Sequence, residues 1–210
     1  MMTSKNILSV TGLMFLTLFA CSGPTVDVKA EREKFDKEKG LLYYEHELFS
    51  GKAVSFFADG EVEESMEYKD GKKHGQGLSY YRNPKGQLKE EVNFIENEKN
   101  GASIEYYENG KVEKSCNYDK GDLDGKFETF YENGQLRYSV IYSRGEKNGK
   151  EEAFYENGKL REIGTFINGE KAGTHKSFYE SGKLKSSATY SNGELKGEYK
   201  FYDENGKLSH

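Results

Sequence analysis

From residue 51 onward the chain alternates apolar and polar positions in short runs that double back on themselves. One such run, Gly125 to Asn148, reads GKFETFYENGQLRYSVIYSRGEKN, with Asn133-Gly134 between two stretches rich in aromatic and β-branched residues. Two-residue alternation marks half-buried strands, and an Asn-Gly pair between them predicts a hairpin whose turn holds two consecutive left-handed residues. With that pair at the centre, Tyr131 faces Leu136, Thr129 faces Tyr138, Phe127 faces Val140 and Gly125 faces Tyr142, all on one apolar face. The opposite face pairs Phe130 with Arg137 and Glu128 with Ser139. Gly125 leaves bare backbone for the ring of Tyr142 to cross.

The hairpin recurs. Turn glycines stand at Gly60, Gly86, Gly110, Gly134, Gly158, Gly182 and Gly206, a spacing of 26 once and 24 thereafter. A second glycine column opens each unit (Gly51, Gly75, Gly101, Gly125, Gly149, Gly173, Gly197), and a third precedes the next opener (Gly71, Gly121, Gly145, Gly169, Gly193, with Asn97 in the second unit). Adjacent aromatics precede each turn, as in Tyr106-Tyr107 and Phe130-Tyr131, and Val or Leu follows it, as in Val112 and Leu136. A fixed period of this length is the mark of a repeat architecture. The fold predicted is all-β: an elongated single-layer antiparallel sheet of stacked β-hairpin repeats with a 24-residue period. Roughly 14 strands about 4.8 Å apart give a ribbon of about 65 Å. Residues 41–210 form the repeat domain, with a capping half unit at 41–50, six units over 51–196 and a partial unit at 197–210.

These columns resemble the MORN repeat variant of bacterial proteins, including those labelled the YwqK family. Its Y-x-x-G-x-x-x-G element is matched by Tyr190, Gly193 and Gly197, and at the end of the preceding unit by Phe166, Gly169 and Gly173. Its Y-Y-x-N-G-K-L element is matched by Phe178-Tyr179-Glu-Ser-Gly182-Lys-Leu184. The resemblance implies a scaffold rather than an activity.

Composition narrows the function. Hydrophobic residues make up 34% of the 210, too few for a thick globular core, which favours a thin sheet. A net charge of −5 supplies no basic field for phosphate backbones, so nucleic acid is not an expected partner. Residues 1–20 carry Lys5 and then an apolar run from Ile7 to Phe19, too short to span a bilayer and in keeping with a signal peptide. Leu18-Phe19-Ala20-Cys21 resembles a lipobox, which implies a lipid attached at Cys21 and a membrane anchor in the cell envelope. Ser22 after the cysteine, rather than Asp, implies the outer membrane where the organism has one. Residues 21–40 are rich in charge and are expected to be a tether, partly helical between Val28 and Lys39.

Chemistry is sparse. His46, His74, His175 and His210 fall in separate units without ligand spacing, so they are expected to be solvent-exposed, with no metal and no cofactor. Cys116 occupies a column of small apolar fillers (Met66, Val92, Val140, Gly164, Ala188). Glu108, Glu156 and Glu180 are expected to pair with Lys111, Lys159 and Lys183 across their turns, with Gln135 standing across from Glu132 in the remaining unit. No catalytic residue is assigned. The candidate partner-binding residues are the second aromatic column, Phe56, Tyr80, Tyr106, Phe130, Phe154 and Phe178, whose rings recur about every 10 Å. The function expected is a non-catalytic, membrane-anchored repeat scaffold that binds a protein or glycan of the envelope. Two alternatives stand beside it: an antitoxin-like neutraliser of a toxin or enzyme, from the label some similar proteins carry, and a cell-wall glycan or choline-type binder. A secretion signal argues against the first, and the absence of Trp against the second.

Overall fold

The computed structural model describes residues 23–83 and 86–209; the segment read as a signal peptide and Cys21 lie outside the described residues. Among the described residues there is no α-helix, and fifteen strands form one sheet. From Gly51–Phe56 to Glu194–Phe201 the strands lie side by side in sequence order, each antiparallel to the next, as the repeat predicts.

Mid-hairpin register is as expected: Gly125 faces Tyr142, Phe127 faces Val140, Glu128 faces Ser139 and Thr129 faces Tyr138. Toward the turn it departs. Phe130, not Tyr131, faces Leu136, and Arg137 is the extra residue of a bulge. The turn is correspondingly longer than a two-residue Asn-Gly loop. Tyr131 N–H donates to Gln135 O at 2.8 Å, and Gly134 N–H donates to Tyr131 O at 2.8 Å. Only Gly134 is left-handed (φ 92°), so the loop is Glu132-Asn133-Gly134, a turn closed by a left-handed glycine. Asn133 serves by its side chain, whose Oδ1 accepts from Gln135 N–H at 2.8 Å.

The two-residue left-handed turn lies at the other end of the strands. Arg144 (φ 49°) and Gly145 (φ 79°) make it, and Asp70-Gly71, Glu96-Asn97, Lys120-Gly121, Asn168-Gly169 and Asn192-Gly193 repeat it. Each of these turns also reaches back one hairpin: Gly121 N–H donates to Lys99 O at 2.8 Å, and Gly145 N–H to Leu123 O at 2.8 Å.

A third device joins the hairpins at the turn end. Pairing between neighbouring hairpins stops at Lys114↔Thr129 and at Tyr138↔Ala153, one residue short of Phe130 and Phe154. The carbonyls so stranded are taken by tyrosines of the preceding unit: Tyr107 Oη donates to Phe130 O at 2.7 Å and Tyr131 Oη to Phe154 O at 2.8 Å. Tyr81, Tyr155 and Tyr179 make the same bond to Tyr106, Phe178 and Tyr202.

The residues expected to be a tether are folded. Thr25–Asp27 pairs in parallel with Lys52, Ala53 and Val54 at the edge of the sheet. Arg32–Lys34 is one 3-10 turn, and Phe35–Glu38 pairs with Leu41–Tyr44, which pairs with Glu47–Leu48 in a second, three-stranded sheet. That small sheet lies over the first hairpin, so the fold is not a single layer there: Val26, Leu42, Phe49 and Ala53 are buried together, with Phe35, Tyr44 and Tyr68 packed against them. Apolar side chains at Val26 and Phe35 draw the charged segment in. The half unit at 41–50 thus caps the array, though in its own sheet; Phe49 O accepts from Gly71 N–H at 2.8 Å, the place Lys99 O fills for Gly121.

Two stability outcomes follow from these bonds. Tyr131→Phe removes one hydroxyl–carbonyl bond and lowers unfolding free energy by about 1 kcal/mol in a urea titration, whereas Tyr131→Ala costs about 3 kcal/mol or more. Arg144→Asn relieves a strained left-handed side chain and raises stability by up to about 1 kcal/mol; no gain would mean the left-handed pair is elsewhere.

Candidate functional site

Phe56, Tyr80, Tyr106, Phe130, Phe154 and Phe178 each end the first strand of a hairpin, and all six are half-buried. Because of the bulge, each faces the residue that follows its turn: Phe56↔Val62, Tyr80↔Leu88, Tyr106↔Val112, Phe130↔Leu136, Phe154↔Leu160 and Phe178↔Leu184. Those aliphatic partners are half-buried too. Six aromatic–aliphatic pairs therefore make one apolar stripe across the ribbon, repeating about every 10 Å.

Arg137, expected to face Phe130, is displaced from it by the bulge. Arg137 and Lys185 lie over the rings of Tyr131 and Tyr179, at 5.7 and 5.6 Å from their centroids. As bulge residues they are shifted off the register that would set them against Phe130 and Phe178. The expected Glu–Lys pairing across the turns is also replaced. Lys111 Nζ donates to Asn133 O at 2.7 Å and Lys183 Nζ to Glu204 O at 2.8 Å, each in the next turn along.

The other face is sealed by a different set. The aromatic that ends each second strand lies opposite its opening glycine, as Tyr142 does with Gly125 and Phe166 with Gly149. A lysine crowns most of these rings: Lys73 over Phe94, Lys99 over Tyr118, Lys147 over Phe166 and Lys171 over Tyr190, at 4.8 to 5.2 Å. At the N-terminal end the ring of Phe49 contacts Tyr68 instead. An open trough of about 550 Å³ lies on this face, lined in part by Met66, Lys73, Gly77, Ser79, Glu90 and Phe94. Further along, Phe127 packs edge-on against Tyr138 and Tyr142 and fills the corresponding space.

His175 corrects the expectation of exposure. It is half-buried, edge-on between Phe166 and Tyr190 at 5.4 and 5.2 Å, with Nε2 2.9 Å from Thr165 O. Gly164 makes this possible, since a Cβ there would come within 2.2 Å of the imidazole. His46 is exposed, as expected, and His74 is half-buried with Nδ1 3.8 Å from Glu96. Cys116 is buried and free, and burial raises its thiol pKa.

Titrating groups with clear shifts move away from neutrality. Burial, then the bond to Glu151, pushes Tyr138 up to about 12, and burial does the same for Tyr118. The bond to Glu91 pushes Tyr106 up to about 12. Glu151 is raised by burial but held low overall by Lys147 and Tyr138. These groups carry fixed charge or none at neutral pH, as hydrogen-bonded ion pairs do.

Fold and columns together define a ribbon of β-hairpin repeats, bonded one to the next by tyrosine hydroxyls and turn glycines. The MORN repeat variant matches residues 99–120, 123–143, 147–168, 171–192 and 195–209, so the chain carries five MORN units. The hairpins at residues 51–95 share the register of those units, with Gly75 facing Phe94 and Tyr80 facing Leu88, so the same structure continues N-terminal to the matched residues. No curated protein matches the chain.

Gly164→Val tests the packing of His175. Valine is native to this column at Val92 and Val140, yet here it meets the imidazole and lowers stability by about 1–3 kcal/mol. Adding His175→Ala recovers most of that loss, measured as the coupling in a double-mutant cycle.

Proposed function

We propose that the chain is a non-catalytic repeat scaffold, anchored to a membrane through acylated Cys21, whose aromatic stripe holds an extended segment of another envelope protein. The observation that carries the reading is the stripe itself: six half-buried pairs, from Phe56 with Val62 to Phe178 with Leu184, in an unbroken row on one face. Aromatic rings with one side still in water offer large contact area at low entropic cost, and their regular spacing suits a partner that runs across the strands. A scaffold also suits titrating groups that are held away from neutral pH. The lipobox resemblance at Leu18-Phe19-Ala20-Cys21 supports the anchor.

Crosslinking in detergent-solubilised envelope, followed by pull-down and identification of what is captured, tests the reading. Phe130→Ser with Phe154→Ser lowers capture at least tenfold, as expected for two contact residues worth about 1 kcal/mol each or more. Far-UV circular dichroism checks that the double variant stays folded. Undiminished capture by a folded double variant would remove the stripe as the binding surface. Cys21→Ser moves the protein from the membrane to the soluble fraction.

A further inference from the structure

We infer that the anchored ribbon is seated by its N-terminal corner directly on the lipid surface and projects away from it, with no free tether in between. This rests on the acylation of Cys21 proposed above. Only Ser22 separates Cys21 from Gly23, where the folded body begins. From there the backbone is locked. A Cβ at Gly23 would lie 2.0 Å from the Ser50 carbonyl oxygen, and one at Gly51 would lie 2.4 Å from Pro24 O. Lys52 N–H donates to Pro24 O at 2.9 Å, and Thr25–Asp27 continues as a paired strand.

Two residues of extended chain reach about 7 Å. That is about the depth of one headgroup layer, half the difference between a ~30 Å hydrocarbon core and a total of ~40–45 Å. With its acyl chains in the hydrocarbon, Cys21 therefore holds the edge formed by Gly23 to Asp27 against the headgroups.

Charge decides whether the ribbon lies down or stands. The turns along the long edge carry both signs, with Lys99, Lys120, Arg144, Lys147 and Lys171 beside Glu98, Asp122, Glu146 and Glu170, but residues 51–210 as a whole carry 29 acidic against 25 basic side chains. The folded segment before them, residues 23–50, carries seven acidic against five basic side chains. An anionic headgroup surface repels both, so the acyl chains alone hold the corner down and the rest of the ribbon is driven away from the lipid. Fourteen strands stack from the seat outward, so at about 4.8 Å per strand the last turn lies on the order of 60 Å from the membrane. Phe56 then sits close to the lipid and Phe178 far from it, and a partner on the stripe runs outward from the bilayer.

Full-length acylated protein in vesicles of zwitterionic and anionic phospholipid, with an acceptor dye on the headgroups, tests the seat. A donor dye is placed at Lys37→Cys or at Glu204→Cys, both exposed sites. The background is Cys116→Ala, since alanine already stands in that column at Ala188. Energy transfer is expected to be several-fold stronger from position 37 than from 204, and a long Gly-Ser insert after Ser22 lowers the signal at 37. Equal transfer from both positions, or a signal at 37 unmoved by the insert, overturns the seat while leaving the anchor intact. A mass showing Cys21 unacylated in the membrane fraction overturns the anchor and the seat together.

Discussion

A stranded backbone carbonyl at the turn end of every hairpin sets the terms for the rest of this structure. Pairing between neighbouring hairpins ends one residue early, at Lys114↔Thr129, Tyr138↔Ala153 and Glu162↔Ser177, and the next carbonyl points where no strand follows. A tyrosine from the preceding unit fills each of these three vacancies, 23 residues earlier in the chain, whereas the unit before Tyr80 has Phe57, which lacks the hydroxyl. A lone hairpin is marginal in water. Here the hairpins from the second onward are held to the next at both ends, by a tyrosine hydroxyl at one and a turn N–H, of glycine or Asn97, at the other, while rings and small fillers pack between. Because a hydroxyl must reach one particular oxygen, inter-unit register is fixed to a single residue, which apolar packing alone would leave looser.

The two ends of the array show the same rule. Phe56 has no preceding hairpin, and its carbonyl is taken by Lys29 Nζ at 2.9 Å, from the folded segment before the cap sheet. In the last unit Tyr202, rather than Phe201, takes the place of Phe178, and its carbonyl accepts from Tyr179 at 2.8 Å. Asp203 follows where each earlier unit has Tyr or Phe, and turns its carboxylate onto the N–H groups of Asn205 and Lys207 at 2.9 Å. A one-residue shortening of the last strand that looks like a flaw in the repeat is therefore compatible with the bond that joins units.

Period, strand order and mid-hairpin register were legible in the columns, because two-residue alternation and ring positions are set by burial, which composition reports directly. Turn geometry was not. Asn133-Gly134 outranks Arg144-Gly145 as a left-handed pair by residue preference, yet only the second joins strands that meet two residues apart, Ser143 against Glu146. Loop length overrode the dipeptide. The tyrosine bonds did leave a trace: the second aromatic of each pair is Tyr at 81, 107, 131, 155 and 179, with Phe only at Phe57, whereas the first position mixes Phe and Tyr. A hydroxyl retained where ring size alone would suffice points to a hydrogen bond. The cap was hidden because its apolar anchors, Val26 and Phe35, stand singly among charges, and their burial depends on a hairpin far along the chain. His175 and Gly164 were hidden for a related reason, since each is exceptional in its own column and only the pair makes sense.

The candidate site was legible as a column but not in its surroundings, and the bulge at Arg137 explains why: one extra residue exchanges a charged neighbour for Leu136. That exchange separates the duties of the two aromatics. The second needs its hydroxyl to hold the array; the first needs only bulk, and Phe or Tyr serves equally. Stripe positions are thus released from the fold's most exacting bond. Beside them, two residues back along each strand and on the same face, the chain reads Val54, Leu78 and Ile104, then Glu128, Glu152 and Lys176. Val54 is buried, so the apolar stripe is broadened at Leu78 and Ile104 and has charged margins over the next three hairpins. The surface along the stripe is therefore graded, more apolar at Leu78 and Ile104 and more charged at Glu128, Glu152 and Lys176, because the fold's register bonds leave these positions free to vary.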